Sequence, residues 1–225
     1  MSSHDVQEKR PYDSRRRRER AQEERRATRN RVIDAATRLF VANGYTGTTM
    51  ADIAREAGVA MQSVYTAGRS KADLLHEAVE RAVAGDDQEI LVQDRPTFTA
   101  IAAETDPVRQ VHLLAELICD IQERSAPIQA AYRQAAAIDS TVAASVEAAH
   151  RRRLEAFGVA IRMLPAEQLR YPPQECVDTI WAVASSEVFL LLLNVRGWRW
   201  DDIRPWLART LVDILLTENR PGPPV

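Results

Sequence analysis

The residues in this chain best equipped to read the surface of another molecule are Met61, Gln62 and Ser63, three neighbours at the start of a short predicted helix. The Gln62 amide carries a donor and an acceptor side by side, the arrangement that pairs with N6 and N7 of adenine, and Met61 offers the apolar contact that a thymine methyl accepts. This is recognition chemistry, and it requires the helix N-terminus to be presented outward. Thr49-Met50-Ala51-Asp52 has the S/T-x-x-acid form of an N-terminal capping box, with Asp as a short substitute for Glu. The helix it opens places Met50, Ile53, Ala54 and Ala57 on one apolar stripe, at spacings of three and four. Gly58 stops that helix, because glycine enters the left-handed conformation of a helix C-terminus without steric cost. Val59 restarts burial, and a second helix over 61–67 turns Val64 inward. Two helices crossing through a short turn need a small residue at the contact, a flexible turn and a β-branched plug; Ala54, Gly58 and Val64 supply them in that order.

The longer run resembles the DNA-binding helix-turn-helix of the tetracycline-repressor (TetR) family. Leu39-Phe40, Gly44-Tyr45, Thr48-Thr49, Ile53-Ala54, Ala57-Gly58-Val59, Tyr65, Ser70-Lys71 and Leu74-Leu75 follow one another at the family's spacing, and the likeness covers roughly residues 28 to 85. It implies that the second helix enters the major groove, with Met61, Gln62 and Ser63 near base edges. It further implies that Tyr65 and Thr49 meet backbone phosphates and that Lys71 adds a phosphate charge, so that phosphate contacts set register while base contacts set the site. The fold implied is all-α: a three-helix DNA-binding head followed by a helical ligand-binding and dimerisation domain, about nine helices in total. The chain departs from the family at Ala60, where a small hydroxyl residue is usual, at Gln62, where the family has a glycine or similar small residue, and at Ala67-Gly68, where His-Phe is usual. The missing phenylalanine removes a large anchor, worth roughly 1.5–3 kcal/mol of burial, which predicts a less rigid head.

The elements around this motif follow from charge and punctuation. The formal net charge of −2 conceals a basic N-terminus, in which eleven of the first 31 residues are Lys or Arg and outnumber the acids. Polyanion binding is therefore expected at one end of the molecule. The divisions expected are a basic, largely flexible arm over 1–26, the head over 27–87 and the body over 88–225. A first helix is expected from near Arg16 to Asn43, and a fourth from the Ser70-Lys71-Ala72-Asp73 cap to about Ala84. In the body, helices are expected from Asp106-Pro107 to about Arg124, from Ala126-Pro127 to about Ala137, from Asp139 to about Met163, from Pro172-Pro173 to Arg196 and from Asp202 to about Leu216. The tail from Arg220 is rich in Pro and Gly and reads as disordered.

Ile180, Trp181, Val183, Val188, Phe189 and Leu190 to Leu193 make the eighth of these helices apolar nearly all round, and Ala182, Ala184, Ser185 and Ser186 allow close approach. The ninth offers Ile203, Trp206, Leu207, Leu211, Ile214 and Leu215. The pair suits an intersubunit four-helix bundle, so a homodimer is expected. The middle helices are expected to enclose a cavity for a small-molecule effector, with His112, Glu116, Cys119, Tyr132, Phe157, Met163, Trp181 and Phe189 as candidate lining residues. His150-Arg151-Arg152-Arg153 reads as a solvated face. Cys119 and Cys176 read as buried free thiols, with no CxxC or Cys/His cluster to suggest a metal. An apolar h-region does not follow the N-terminal arginines, and the longest apolar run, Val188 to Leu193, is too short to span a bilayer, so a cytoplasmic protein without membrane contact is expected.

The function expected is a ligand-responsive transcriptional regulator, a repressor released by a small molecule from a pseudo-palindromic double-stranded operator. The alternative is a small-molecule-binding protein of the same fold whose head no longer reads DNA specifically. An enzyme would need a GxSxG, HExxH or Walker sequence, or a comparable constellation, and four scattered histidines provide none, so no catalytic residue, cofactor or metal is expected.

Overall fold

Phe40, Ile53, Val64, Leu74 and Leu75 have no solvent exposure, and the helices that carry them form the N-terminal unit of the molecule. The computed structural model describes residues 14–86 and 90–217. α1 spans Ser14–Asn43, α2 Met50–Ala57, α3 Met61–Ala67 and α4 Lys71–Ala84. α1 buries Val32, Ile33, Ala36 and Phe40 against the other three, and the ion pairs Arg29–Glu77 (2.6 Å), Arg38–Glu56 (2.9 Å) and Arg81–Asp34 (3.2 Å) tie its flanks to α4 and α2. The helix runs unbroken across the 26/27 boundary expected between arm and head, so residues 14–26 are helical rather than flexible. Arginines at helical spacing from Glu19, Glu23 and Glu24 favour that continuation. Residues 1–13, Asp87 and the tail from residue 218 lie outside the described residues.

The body contains α5 Pro96–Ala102, α6 Pro107–Ala136, α7 Ser140–Arg162, α8 Pro173–Val183, α9 Ser186–Leu190 and α10 Trp200–Leu215. Asp106 caps α6 and Asp139 caps α7, each carboxylate accepting backbone N–H bonds from the first turn, as the sequence suggests. Two boundaries differ from the sequence reading. First, α6 passes straight through Pro127 and does not restart there. Proline removes one ladder bond, but α6 is packed by α4, α7, α9 and α10, and burial of Ala126, Ile128, Ala131 and Tyr132 keeps the backbone helical across the defect.

Second, the expected eighth helix is divided at Ala184-Ser185 and passes from α9 into a π-helical turn over Leu191–Val195. α6 braces the division: Gln122 Nε2 donates to the Ala184 carbonyl (2.9 Å) and Arg133 donates to Ser186 Oγ (2.6 Å) while pairing with Glu187 (3.0 Å). Counted as one interrupted helix, 173–195 brings the helices among the described residues to nine, the expected number, but with α5 added and two expected helices merged in α6. This stretch is long and apolar enough to cross a membrane by length and composition, but it is interrupted, and Cys176, Val177, Ile180 and Phe189 on it are buried in the body core. Among the described residues, the sole β-type pairing is an isolated bridge, Leu169 with Leu216.

The buried apolar residues form two cores. One comprises α5, α8, α9, α10, the first half of α6 and the end of α7. The other comprises the head together with Ile128, Ala131, Tyr132 and Ala135 of α6 and Val142 of α7. Packing therefore crosses the 87/88 division expected between head and body. α4 and the second half of α6 share one core, so a displacement of either is felt by the other.

Candidate DNA-reading head and ligand cavity

The capping box of α2 forms with Asp in place of Glu. Thr49 Oγ1 accepts from the Asp52 N–H (3.1 Å), and the Asp52 carboxylate accepts from the Thr49 N–H (3.1 Å) and hydroxyl (2.6 Å). These bonds and the adjacent Arg55 hold the Asp52 carboxyl below the usual carboxylate range. Gly58 adopts φ +64°, the left-handed conformation that ends α2 and turns the chain into α3. Val64 is fully buried beneath α3, so the opposite face is outward: Gln62 is exposed, Met61 is 38% exposed and Tyr65 47% exposed. Ser63 is half-buried, and its N–H is already bonded to the Ala60 carbonyl (2.9 Å).

Lys71 sits differently from a free surface cation. Its Nζ donates to the carbonyls of Tyr45 (2.9 Å) and Thr48 (3.1 Å) and lies 4.1 Å from the centre of the Tyr45 ring. The lysine thus pins the turn between α1 and α2 to the start of α4. An ammonium has three donors, which leaves one for another acceptor. The Tyr45 hydroxyl in turn donates to Asp139 Oδ2 (2.7 Å), the residue that caps α7. Burial, with the facing carboxylate, pushes the Tyr45 phenol above its ordinary range. The bond from Tyr45, with the N–H donors of the α7 cap, holds the Asp139 carboxyl below its own. A continuous polar path therefore runs from the α7 N-terminus through Tyr45 and Lys71 to the residue before the Thr49 cap.

At Ala67-Gly68 the sequence predicts a lost anchor and a looser head. The structure shows the space filled: a Cβ added at Gly68 would lie 2.6 Å from Leu74 Cδ2 and 2.7 Å from its Cγ, and Leu74 is fully buried. The leucine of the next helix occupies the volume that a side chain at 68 would need. The loosening expected from Gly68 has no cavity to produce it.

The body holds a cavity of about 220 Å³ between the two cores. Val79, Val83 and Tyr132 line it from the head-side core, and Phe98, Leu114, Ile118, Phe157 and Ala160 from the body core. Of the lining residues expected from sequence, Tyr132 and Phe157 face it. Trp181 stands one layer behind, against the His150 ring (5.5 Å) and the Arg153 guanidinium (5.0 Å). Phe189 stacks on Trp200 (5.7 Å), and Met163 packs against the body core. His112 is exposed on α6. Glu116, with Asp120 and Glu123, holds Arg204 of α10 at 2.7–2.8 Å. Cys119 is fully buried beside that cluster, and burial pushes its thiol up to about 12. Those six are absent from the cavity wall, because selecting aromatic, soft or titratable residues does not reveal which side of a buried helix faces a void.

The cavity's polar groups are ones the sequence reading set aside. Arg152 and Arg153, expected on a solvated face, line it together with His150, Arg133, Glu80, Gln122 and Gln129. Arg152 of α7 is ion-paired with Glu80 of α4. Arg153 donates to the Trp181 carbonyl and lies over the Phe157 ring (5.4 Å). Burial pushes its guanidinium down to about 10 and, with Arg153 beside it, lowers the His150 imidazole. The signal was available in the helical period: His150, Arg153, Phe157 and Ala160 recur at three and four, so one stripe of α7 carries both the charge and the apolar wall.

On the expected dimer helices, Ile203, Leu207, Leu211 and Leu215 are fully buried inside their own subunit and cannot form an intersubunit surface. The apolar groups left uncovered there are Leu191 (57% exposed) and Val195 (70% exposed), beside partly buried Leu192, Trp206 and Ile214.

A small head exposes the N-terminus of the second helix of a helix-turn-helix, the end by which such motifs approach the major groove, and it is joined to an all-helical body with a cavity against the head. Residues 32–78 match the profile described as bacterial regulatory proteins, tetR family. No curated protein sequence matches the chain. Solved structures share the fold over nearly their whole length. NalD of Pseudomonas aeruginosa, the secondary repressor of the MexAB-OprM multidrug efflux pump, is 20% identical with a TM-score of 0.66, covering 86% of this chain and 99% of that one. SmeT in complex with triclosan is 19% identical with a TM-score of 0.65, covering 88% and 99%. A transcriptional regulator from Saccharomonospora viridis in complex with choline is 18% identical with a TM-score of 0.65, covering 84% and 98%.

Proposed function

We propose that the protein is a homodimeric, cytoplasmic repressor that leaves a pseudo-palindromic DNA operator when a small molecule fills the cavity between its two cores. The observation that carries this reading is the position of α4. One end of α4 holds the helix-turn-helix through Lys71, and the other presents Val79, Glu80 and Val83 to the cavity. A ligand that separates α4 from α7, across the Glu80–Arg152 pair, changes where the head sits without changing how it is built. The ligand needs only to bind the released state more tightly than the DNA-bound one. Two heads related by a two-fold axis then read half-sites whose spacing they match in one state and miss in the other. SmeT and the S. viridis regulator, structural relatives crystallised with triclosan and choline, support a ligand-responsive body.

In the head, Gln62 is assigned base readout and Met61 apolar base contact, with Ser63 beside them. Tyr65 and Thr49 are assigned to phosphates. Lys71 is assigned a double role, pinning the turn and offering its remaining donor to a phosphate. The exposed arginines of the first turns of α1 add counterion-releasing charge, so affinity falls with salt. Leu191 and Val195 nucleate the dimer. The reading includes no reaction, because binding alone accomplishes the switch.

Ala156, on the α7 wall of the cavity, provides the test. Ala156→Trp fills the void from within, and the variant is expected to bind operator DNA and to ignore every small molecule that releases the wild type. A melt confirms that the variant folds. Release of the variant by the same compounds at the same concentrations contradicts the assignment of the cavity.

A further inference from the structure

The cavity is apolar over most of its wall, and its charges do not cancel. Glu80 neutralises Arg152, and Glu187 neutralises Arg133, whose guanidinium also donates to Ser186. Arg153 remains. Among the described residues no carboxylate lies within ion-pair distance of it: one nitrogen donates to the Trp181 carbonyl, two aromatic rings flank it, and its Nε is buried without an acceptor. His150 cannot offset it, since an imidazole is neutral or cationic, and burial and Arg153 favour the neutral form. On α6, Gln122 Oε1 is a second buried atom without a partner, its amide nitrogen being spent on the Ala184 carbonyl. A buried cation that lacks a counter-ion is costly, and the cost is recovered when an anion arrives with matching geometry. A guanidinium accepts a carboxylate through parallel N–H bonds and discriminates against neutral and cationic groups of similar size.

Resting on the reading of this cavity as the effector site, we propose that the ligand is a small amphipathic organic acid, with its carboxylate at Arg153 and its alkyl or aromatic body among Phe98, Leu114, Ile118 and Phe157. The cavity of about 220 Å³ has room for the body of a medium-chain or single-ring acid. Gln122 Oε1 is left to accept from a hydroxyl on the ligand or from a water.

The test uses the full chain and four probes by calorimetry at neutral pH: octanoate, octan-1-ol, octylammonium and acetate. Octanoate is expected to bind at least about ten-fold more tightly than octanol, a difference of one charge-assisted contact. Octylammonium and acetate are expected to bind weakest, one carrying the wrong charge and the other lacking the apolar body. Arg153→Met is expected to abolish the preference of octanoate over octanol while retaining octanol binding, which shows that the variant is folded with the cavity intact. The double variant Glu80→Gln/Arg152→Met, which removes a neutral pair as a whole, should leave the octanoate preference in place. Equal binding of the three eight-carbon probes, preference for the cation, or an unchanged octanoate preference in Arg153→Met would each overturn the ligand class. Loss of octanoate binding in Ala156→Trp separates this question from the effector site itself. Probes that bind the wild type without charge preference and fail on Ala156→Trp sink the acid but keep the cavity, and absence of binding by all four sinks the acid outright.

Discussion

In the head, a single Cβ added at Gly68 would collide with a buried leucine; against the body, side chains from five helices leave a void of about 220 Å³. The two regions use the same kinds of residue to different ends. The head has Leu74, Val64 and Ile53 interlocked around a short turn, and its polar groups are engaged by its own backbone and side chains, as in the Thr49–Asp52 box and the Lys71 clamp. The cavity wall retains polar atoms without partners and a helix divided at Ala184-Ser185. On the proposed reading, a surface that presents Gln62 at a fixed angle benefits from close packing. A region that must answer a ligand has to keep space and uncompensated charge until the ligand arrives.

The largest effect separating the two regions is therefore one of volume. Gly68→Ala should destabilise the protein by about 1–3 kcal/mol, the usual cost of overpacking. Ala156→Val, which adds more volume at the cavity wall, should cost only about 0.5 kcal/mol, the difference in helix propensity. Urea denaturation of both variants beside the wild type checks this, and equal losses would show that the head is no tighter than the body.

How much of this was readable in advance divides along the same line. Thr49, Asp52, Gly58, Val64 and Ser70 each act within a few residues of themselves, and the caps and the turn they specify stand where the sequence puts them. Leu74 filling the space beside Gly68 is a contact across a turn, and a motif comparison at position 68 alone cannot register it. In the body, the course of α6 through Pro127 is decided by its neighbours in space. So is the division at Ala184-Ser185, although Ser-Ser-Glu is a fair N-terminal signal for a new helix. The arginines at 152 and 153 read as solvated because a charge run usually is. Only the stripe that Arg153 shares with Phe157 and Ala160 places it inside, and Arg152 is placed there by its pairing with Glu80 across the cavity wall.

A smaller effect concerns the seam between the regions. Tyr45 bonds Asp139 across it, and the Asp139 carboxyl is held below its ordinary value, first by that bond. A carboxyl lowered on folding contributes stability that is present above its unfolded value, about 3.9, and that is lost as pH falls through the lower folded value. The wild type should therefore exceed Tyr45→Phe in melting temperature at pH 6, and the gap should narrow as the pH is taken below about 4. A gap that does not change with pH would mean that the Tyr45 hydroxyl contributes nothing through Asp139.

The smallest effect is chemical. Cys119 and Cys176 are both fully buried, and burial raises both thiols, Cys119 to about 12. Neither should react with a disulfide reagent at pH 8 while the protein is folded, and both should react in urea. Fast labelling of the native protein would show that the body core opens more readily than its packing implies.

The central claim is that the exposed N-terminus of α3 reads DNA through Gln62. Selection of bound fragments from a genomic library, at physiological salt and with wild type and Gln62→Ala in parallel, tests it most directly. The wild type should enrich one two-fold symmetric sequence. The variant should enrich the same sequence with preference lost at one base pair in each half-site, a discrimination of about 1–3 kcal/mol per contact, and with the remaining positions unchanged. Enrichment of no sequence by the wild type, or identical preferences in the two proteins, would contradict it.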